Sequence, residues 1–302
     1  PLTMKRSTVA MIELEPEDFL LSTLVNAWEE QAGPLNGDKS LVAHIRERAP
    51  GEQVGFIFGP PGTGKTTELA GRLIDTVRNS RNKVLVLTPT NNAADVLYER
   101  ISEKAEGDLV VLRAVHRFGS NDKQVLWEDD LPVVVITTMH RFPFDAIANG
   151  PALNEVDWDQ VVFDEASMAA LPYALLPLFT LQPRTGEQDW GALGARFLFA
   201  GDPFQLPPVG LTPSLLDRIE ADKAKKPIRG YSTENIYTLA GIDRFDLAEA
   251  PNLEGSWIHR LTTNYRSGRS IVELFSRSRY QSGVTSAKGN DEHDITLGGE
   301  QL

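Results

Sequence analysis

The sequence of 302 residues contains no cysteine. Disulfide bonds and thiolate metal sites are therefore excluded, and the absence fits a reducing compartment. No apolar run approaches the ~20 residues that a membrane-spanning helix needs, so we expect no membrane partner. Acidic residues follow Pro1–Ala10 where a signal peptide would have its apolar core. The sequence thus predicts a protein that is not secreted and is cytoplasmic, or located in the nucleoid or nucleus if it acts on DNA.

The sequence also lacks an excess of positive charge. It has 30 basic and 42 acidic residues, for a net charge of −12. This balance argues against a protein that coats nucleic acid by charge alone. Any contact with a nucleic-acid strand must be concentrated in a local groove of backbone amides, hydroxyl groups and a few basic side chains.

Short apolar runs alternate with helical stretches along most of the chain. The runs are Val54–Phe58, Lys83–Leu87, Val133–Thr137, Val161–Phe163 and Arg196–Ala200, and the helices are Thr66–Val77, Ala93–Ile101 and Arg269–Tyr280. Strands that alternate with helices are typical of a parallel sheet flanked by helices. The sequence therefore predicts an α/β fold.

Three segments flank or interrupt this pattern. We predict a helical N-terminal extension over residues 1–50, with helices at Glu17–Gln31 and Lys39–Arg48. Phe118–Asp130 and Leu181–Leu193 are interpreted as insertions or loops. The α/β unit is expected to span residues 51–280, and residues 281–302 are a loosely ordered tail or the start of a further domain.

A glycine-rich loop follows the first predicted strand and precedes a helix. The sequence Gly59–Thr66, GPPGTGKT, satisfies the phosphate-loop pattern G-x-x-x-x-G-K-[ST]. Such a loop turns backbone N–H groups toward phosphate oxygens at a helix N-terminus. Lys65 is placed to reach the β- and γ-phosphates, and the Thr66 hydroxyl to ligate Mg²⁺. The expected nucleotide-binding residues of this loop are Gly59, Pro60, Pro61, Gly62, Thr63, Gly64, Lys65, Thr66 and Thr67.

Two carboxylates end the Val161–Phe163 strand. Asp164 is predicted to hold Mg²⁺ beside Thr66, and Glu165 to orient and deprotonate the attacking water. The carboxyl ends of strands are where ligands bind in open α/β sheets. The expected ligands are therefore ATP and Mg²⁺, although no clear adenine-reading glutamine motif precedes the loop.

Three further motifs complete an ordered set with the phosphate loop and the acidic pair. They are Thr88–Asn92 (TPTNN), Gly201–Pro208 (GDPFQLPP) and Leu261–Ser267 (LTTNYRS). The set resembles superfamily 1 helicases, and GDPFQLPP is most similar to the branch that contains the RNA-decay and Dna2-type helicases, which move 5′ to 3′. The resemblance implies a P-loop NTPase of RecA-like fold, the first motor domain of an ATP-dependent helicase or translocase.

The resemblance also implies roles around the nucleotide. Gln205 would sense the γ-phosphate and couple it to the strand-binding side, with support from Asp202. Tyr265 would stack on the adenine base and Arg266 would contact the γ-phosphate. With Lys65 and Glu165, Gln205 and Arg266 are the expected catalytic residues.

On the strand-binding side, the resemblance implies that Thr90, Asn91, Thr137 and Thr138 contact single-stranded DNA or RNA. Structural alternatives remain open at this stage. Thr90 and Asn91 could cap the following helix, and Thr137 and Thr138 could be ordinary strand-end residues. Tyr265 could be a core aromatic.

Three other side chains have no assigned chemistry. Phe204 could stack on a base or pack its loop. His116 and His140 have no metal partners in the sequence, and we expect structural or surface roles for them.

Superfamily 1 helicases place ATP between two RecA-like domains, and the second supplies an arginine that stabilises the transition state. The resemblance therefore implies a second RecA-like domain as partner, in the same or another chain. No further arginine motif follows Tyr280, so we expect hydrolysis by this domain alone to be slower by a factor on the order of 10³ or more. An isolated first domain, an N-terminal portion of a longer chain and completion by a partner chain remain open.

Two other functions compete with the helicase motor. One is an ATP-dependent switch or loading module that has the helicase fold without unwinding, which the acidic charge slightly favours. The other is a kinase or GTPase that uses only the phosphate loop. GDPFQLPP and LTTNYRS argue against this last class.

Overall fold

The computed structural model places a parallel sheet at the centre of the chain. It describes residues 54–118, 132–142, 153, 156–170, 173–174, 177, 195–206, 235–237 and 258–289, and the backbone of 296–297 and 300–301. The predicted extension over residues 1–50 lies outside the described residues. So do Leu181–Leu193 and all of Phe118–Asp130 except its first residue.

Nine strands and four helices make up the main described elements. The strands are β1 (Val54–Phe58), β2 (Lys83–Thr88), β3 (Val115–Arg117), β4 (Val133–Thr138), β5 (Gln160–Phe163), β6 (Arg196–Gly201), β7 (Ile258–Arg260), β8 (Thr263–Asn264) and β9 (Thr285–Ser286). The helices are α1 (Lys65–Asn79), α2 (Asn91–Lys104), α3 (Leu109–Ala114) and α4 (Arg269–Arg279). A further pair, β10 (Thr296–Leu297) and β11 (Glu300–Gln301), is antiparallel. None of the described helices is both long and apolar enough to cross a bilayer.

The central sheet has seven strands in the order β3-β4-β2-β5-β6-β1-β7, and every neighbouring pair is parallel. The predicted α/β fold is therefore confirmed, and all five predicted strands are present with boundaries that differ by at most one residue. Two three-residue edge strands, β3 and β7, were not predicted, because runs this short carry little periodic signal.

Alternate residues of each strand pack on opposite faces of the sheet. Phe56, Leu85, Phe163 and Phe199 belong to one buried cluster. Their neighbours point the other way, into a cluster that α1, α2 and α3 complete. Since both faces are covered, the strands are apolar at almost every position, as is typical of parallel sheets.

A smaller third cluster lies beneath α4. It joins Phe58 of β1 to Val272, Tyr280 and Val284, all at most 3% exposed. The segment after Tyr280 is thus packed, and β9 pairs with β8. A loosely ordered tail was one expectation for residues 281–302, but the ordered structure continues at least to Ala287, whose N–H donates to the Asn264 carbonyl at 2.8 Å.

We expect Val284→Ala to lower the free energy of unfolding by roughly 2 kcal/mol, because it leaves a cavity in the cluster beneath α4. Chemical denaturation measures this. Leu274→Ala is the matched control, since Leu274 on α4 is 74% exposed and its truncation should change stability by less than about 0.5 kcal/mol. Equal stability of both variants would contradict the packing of this segment.

Candidate nucleotide site

The phosphate loop joins β1 to α1 and is fixed at its start. The Gly59 N–H donates to the Gly201 carbonyl at 3.0 Å, which ties the loop to the end of β6. The Thr63 hydroxyl donates to the Pro60 carbonyl at 2.7 Å and closes the turn. Gly64, the residue directly before α1, has a φ of 84°, a backbone conformation that glycine adopts without steric cost.

Two glycines of the loop have no room for a side chain. A Cβ on Gly59 would collide with the Lys65 side chain, and a Cβ on Gly62 would lie 2.6 Å from Nδ2 of Asn264. Gly62 also has a φ of 75°. Neighbouring side chains therefore require glycine at both positions, and the backbone conformation also requires it at Gly62.

Lys65 extends back across the loop that precedes it. Its Nζ donates to the Gly59 carbonyl at 3.2 Å and lies 3.4 Å from Oε1 of Glu165. The lysine is 7% exposed. The predicted phosphate-binding cation and the predicted base are therefore in direct contact.

Asp164 lies at the carboxyl end of β5 and is 2% exposed. Burial, and next the nearby charge of Glu165, raise the pKa of its carboxyl group to about 7, although the Lys65 ammonium opposes the shift. Its Oδ1 accepts a hydrogen bond from the Glu165 N–H at 3.0 Å. A buried carboxylate of this kind is stabilised by a cation, as the predicted magnesium role requires.

Glu165 has a strained backbone and an unsatisfied side-chain oxygen. Its φ is 51°, in a region where residues other than glycine are rare. One carboxylate oxygen contacts Lys65, and the other, Oε2, is buried with no hydrogen-bond partner among the described residues. A buried acceptor left without a donor is costly unless a ligand or water fills the role.

Asp202, directly after β6, gathers the groups of the GDPFQ motif. Its Oδ1 accepts from the Phe204 N–H at 3.0 Å, and its Oδ2 accepts from Nε2 of Gln205 at 3.0 Å and from the Tyr280 hydroxyl at 2.7 Å. Burial raises the pKa of Asp202, while these donors and Lys65 oppose the shift. Phe204 packs edge-on against Tyr280, with ring centroids 5.3 Å apart. Of the two alternatives for Phe204, base stacking and packing of its loop, these contacts fit the packing role.

The LTTNYRS loop lies directly against the phosphate loop. Nδ2 of Asn264 donates to the Pro61 carbonyl, and the Tyr265 N–H donates to the Gly62 carbonyl at 2.9 Å. Oδ1 of Asn264 also accepts from the N–H groups of Arg266 and Ser267. Tyr265 is 62% exposed, so it is not a core aromatic. Its adenine contact and the γ-phosphate contact of Arg266 stay predictions.

The candidate strand-contacting residues cluster at the ends of β2 and β4. The Thr90 hydroxyl accepts from the Ala93 N–H at 3.1 Å, so Thr90 caps α2. Oδ1 of Asn91 accepts from Arg117 at 3.0 Å. Thr137 is fully buried, an arrangement that does not support strand contact by its side chain. Thr138 is half-buried, and its strand contact stays a prediction.

One buried residue near the site was missed by sequence reasoning. The Tyr237 hydroxyl lies 2.9 Å from the Ile57 carbonyl and 3.1 Å from the Phe199 carbonyl, so it can donate to either strand, β1 or β6, beneath the phosphate loop. Burial, with the charges of Glu165, Asp202 and Asp164, raises its pKa well above the usual value. No motif surrounds Tyr237, so no local signal could have identified it.

His116 on β3 is half-buried, whereas His140, two residues after β4, is exposed. Burial lowers the pKa of both His116 and His140. No group of three or more potential metal-ligating side chains occurs near them or elsewhere in the described ranges. The expected structural or surface role fits the half-buried His116 and the exposed His140.

The oxygen atoms of the site residues are suitable ligands for a nucleotide bound with Mg²⁺. Mg²⁺ bound with a nucleotide takes one or two protein oxygens, with phosphates and waters completing the octahedron. The Thr66 hydroxyl and the buried Asp164 carboxylate are oxygen donors of this kind. The open acceptor of Glu165 and the glycine cradle suit a water and phosphates, respectively.

The chain is similar to proteins that are named as helicases. A family model described as "AAA domain" matches residues 43–211. RNA helicase Mov10l1 of Homo sapiens is 27% identical over 270 residues, which are 82% of this chain and 20% of that protein. The DNA replication ATP-dependent helicase/nuclease dna2 of Schizosaccharomyces pombe is 26% identical over 207 residues, 66% of this chain and 14% of that protein. The predicted resemblance to helicases of this branch is confirmed, and the chain spans about a fifth of the length of the Mov10l1 relatives.

Among solved structures, the one titled "The structure of PRRSV helicase" aligns with a TM-score of 0.43 and 16% identity. The alignment covers 83% of this chain and 38% of that chain. The fold assignment above depends on the strand order and the phosphate loop of the chain itself.

We expect Asp164→Asn to stabilise the ligand-free chain, and to do so more at pH 8 than at pH 5. The wild-type pKa of about 7 lies above the ordinary value of 3.8, so the folded chain binds the proton more tightly and loses stability as pH rises from about 4 to about 7. Loss of this penalty should raise the free energy of unfolding at pH 8 by on the order of a few kcal/mol.

Thermal unfolding at both pH values, with EDTA and without nucleotide, measures the difference. Asp75→Asn on α1 is the control, because this aspartate is solvent-exposed. A gain for Asp164→Asn that does not depend on pH would contradict a protonated buried carboxyl group.

Proposed function

Because the chain belongs to the AAA domain family, as the match over residues 43–211 shows, we propose that it is an ATP-hydrolysing motor domain of helicase type. It binds ATP with Mg²⁺ and couples hydrolysis to the binding of, and movement along, single-stranded DNA or RNA. Its helicase relatives support this assignment.

The observation that carries the proposal is the contact between Lys65 and Glu165. Nζ of Lys65 lies 3.4 Å from Oε1 of Glu165, and the buried Oε2 has no hydrogen-bond partner among the described residues. A water bound there would be held by a carboxylate beside the lysine that binds the γ-phosphate. This is the juxtaposition of nucleophile and phosphate that hydrolysis requires.

The other residues of the site have separate roles in binding and hydrolysis. Backbone N–H groups of the phosphate loop bind phosphate oxygens, and Thr66 with Asp164 would hold Mg²⁺. When bound, that ion would neutralise part of the phosphate charge. Glu165 accepts the proton of the attacking water, and Gln205, held by Asp202, reports the state of the γ-phosphate.

Arg266 and Tyr265 complete the nucleotide pocket from the LTTNYRS loop. Their backbone is fixed to the phosphate loop through Asn264, so their side chains start from a defined position beside the phosphates. Full activity requires a second RecA-like domain, in this or another chain, whose arginine stabilises the transition-state charge.

Coupling to nucleic acid would run through the ends of β2 and β4. Thr90 follows β2 and Thr138 ends β4, and these two strands are paired neighbours of the sheet. Hydroxyl and backbone groups at this edge contact a strand without reading its sequence. The net charge of −12 favours one alternative, an ATP-dependent switch or loading module without unwinding.

Glu165→Gln should keep ATP binding and lower hydrolysis by about 10²–10⁴-fold, since the base is lost while the phosphate loop is intact. Binding is measured with a fluorescent ATP analogue and hydrolysis by phosphate release under single-turnover conditions. Glu99→Gln, on the exposed side of α2, is the control and should match the wild type. Equal losses of binding and hydrolysis in Glu165→Gln would contradict the assigned role.

Single-stranded nucleic acid should accelerate ATP turnover once the second domain is present. We would compare turnover with oligo-dT, with oligo-U and without either, at low and high salt. Stimulation should weaken as salt rises, because phosphate contacts release counterions. Turnover that neither polymer changes would favour the switch.

A further inference from the structure

Tyr280 connects α4 to the GDPFQ motif. It directly follows the last residue of α4, is 3% exposed, and donates its hydroxyl proton to Oδ2 of Asp202 at 2.7 Å. The same carboxylate oxygen accepts from Nε2 of Gln205 at 3.0 Å. A single oxygen atom therefore joins the tyrosine to the glutamine that the proposed function makes the γ-phosphate sensor.

The ring of Tyr280 is held independently of its hydroxyl. It packs edge-on against Phe58, Phe204 and Phe275, with centroids 6.5, 5.3 and 5.8 Å away, respectively. A phenylalanine at this position would keep these contacts. The hydroxyl can therefore be removed without removing the packing.

The Asp202 carboxylate determines whether the NH₂ group or the oxygen of the Gln205 amide faces it. An ionised carboxylate only accepts hydrogen bonds, so the amide must present its NH₂ group and turn its oxygen away. The second N–H and the oxygen are left for the nucleotide side. Anything that fixes the Asp202 carboxylate thus fixes the orientation of the sensor.

Tyr280 directly follows α4, and the segment just before this helix contacts the phosphate loop. α4 starts at Arg269, three residues after Arg266. In the turn before it, the Ser267 N–H donates to Oδ1 of Asn264, whose Nδ2 donates to the Pro61 carbonyl of the phosphate loop. One helix thus connects the loop beside the phosphates to the carboxylate behind Gln205.

We propose that Tyr280 is a positioning residue that holds the Asp202 carboxylate in place and thereby orients the Gln205 amide toward the γ-phosphate. This inference rests on the proposed function, because the task of Gln205 exists only if the chain hydrolyses ATP. Tyr280 is buried, and its hydroxyl donates to Asp202. It acts on the rate only through Asp202 and Gln205.

The test is a double-mutant cycle of Tyr280→Phe and Gln205→Ala. Tyr280→Phe should lower kcat for ATP about tenfold and leave KM within about twofold, because the affected contact forms in the transition state. In the Gln205→Ala background the same change should lower kcat by less than about twofold, because the residues act as one unit. Tyr98→Phe, half-buried on α2, is the matched control.

A second measurement does not depend on turnover. The side-chain amide resonance of Gln205, identified by its loss in Gln205→Ala, should be shifted and sharp in the wild type. It should move toward the position of a solvent-exposed amide in Tyr280→Phe. An unchanged resonance in Tyr280→Phe would overturn the proposal, as would effects on kcat that add independently in the double variant.

Failure of the proposed function is distinguished by Lys65→Ala. If the wild type hydrolyses ATP no faster than Lys65→Ala, the ATPase assignment is wrong, while the amide resonance still decides whether Tyr280 orients Gln205. If the wild type is active and Tyr280→Phe is indistinguishable from it, the positioning role alone is wrong.

Discussion

The ammonium group of Lys65 lies among three carboxylates, and the charge balance of the site depends on it. It is paired with Glu165, and it lowers the pKa values of both Asp164 and Asp202 against the larger effect of their burial. A triphosphate brings further negative charge into this neighbourhood. Its entry together with a divalent cation is therefore the arrangement that electrostatics favours.

The parallel sheet brings these groups together. β1, β5 and β6 run side by side in one direction, so the segments that follow them begin at the same edge. Lys65 follows β1, Asp164 follows β5 and Asp202 follows β6. The acidic pair and the GDPFQ aspartate are thus neighbours although a long stretch of chain separates them.

The features that could be predicted from the sequence are those that a local pattern of residues encodes. The strands were visible as apolar runs because both faces of the sheet are covered, and the phosphate loop because its glycines meet steric limits at Gly59 and Gly62. Thr90 was recognised as a candidate cap because its hydroxyl and its position before α2 follow a short-range rule.

The contacts that escaped prediction join distant parts of the chain. The Tyr237 hydroxyl meets the carbonyl of Ile57, and the Tyr280 hydroxyl meets Asp202. Neither tyrosine is surrounded by a pattern that distinguishes it from any other buried aromatic. The packing of Val284 was missed for the same reason, because its partner Phe58 lies at the far end of the sequence.

The strand order has a consequence for synthesis on the ribosome. β1 emerges before the other strands of the sheet, yet its two neighbours, β6 and β7, end only at residues 201 and 260. At about 5–20 residues per second, translation leaves this apolar strand without its partners for on the order of ten seconds or more. We therefore expect the nascent chain to need chaperones, or rapid local collapse around α1, to keep β1 from aggregating until its neighbouring strands are synthesised.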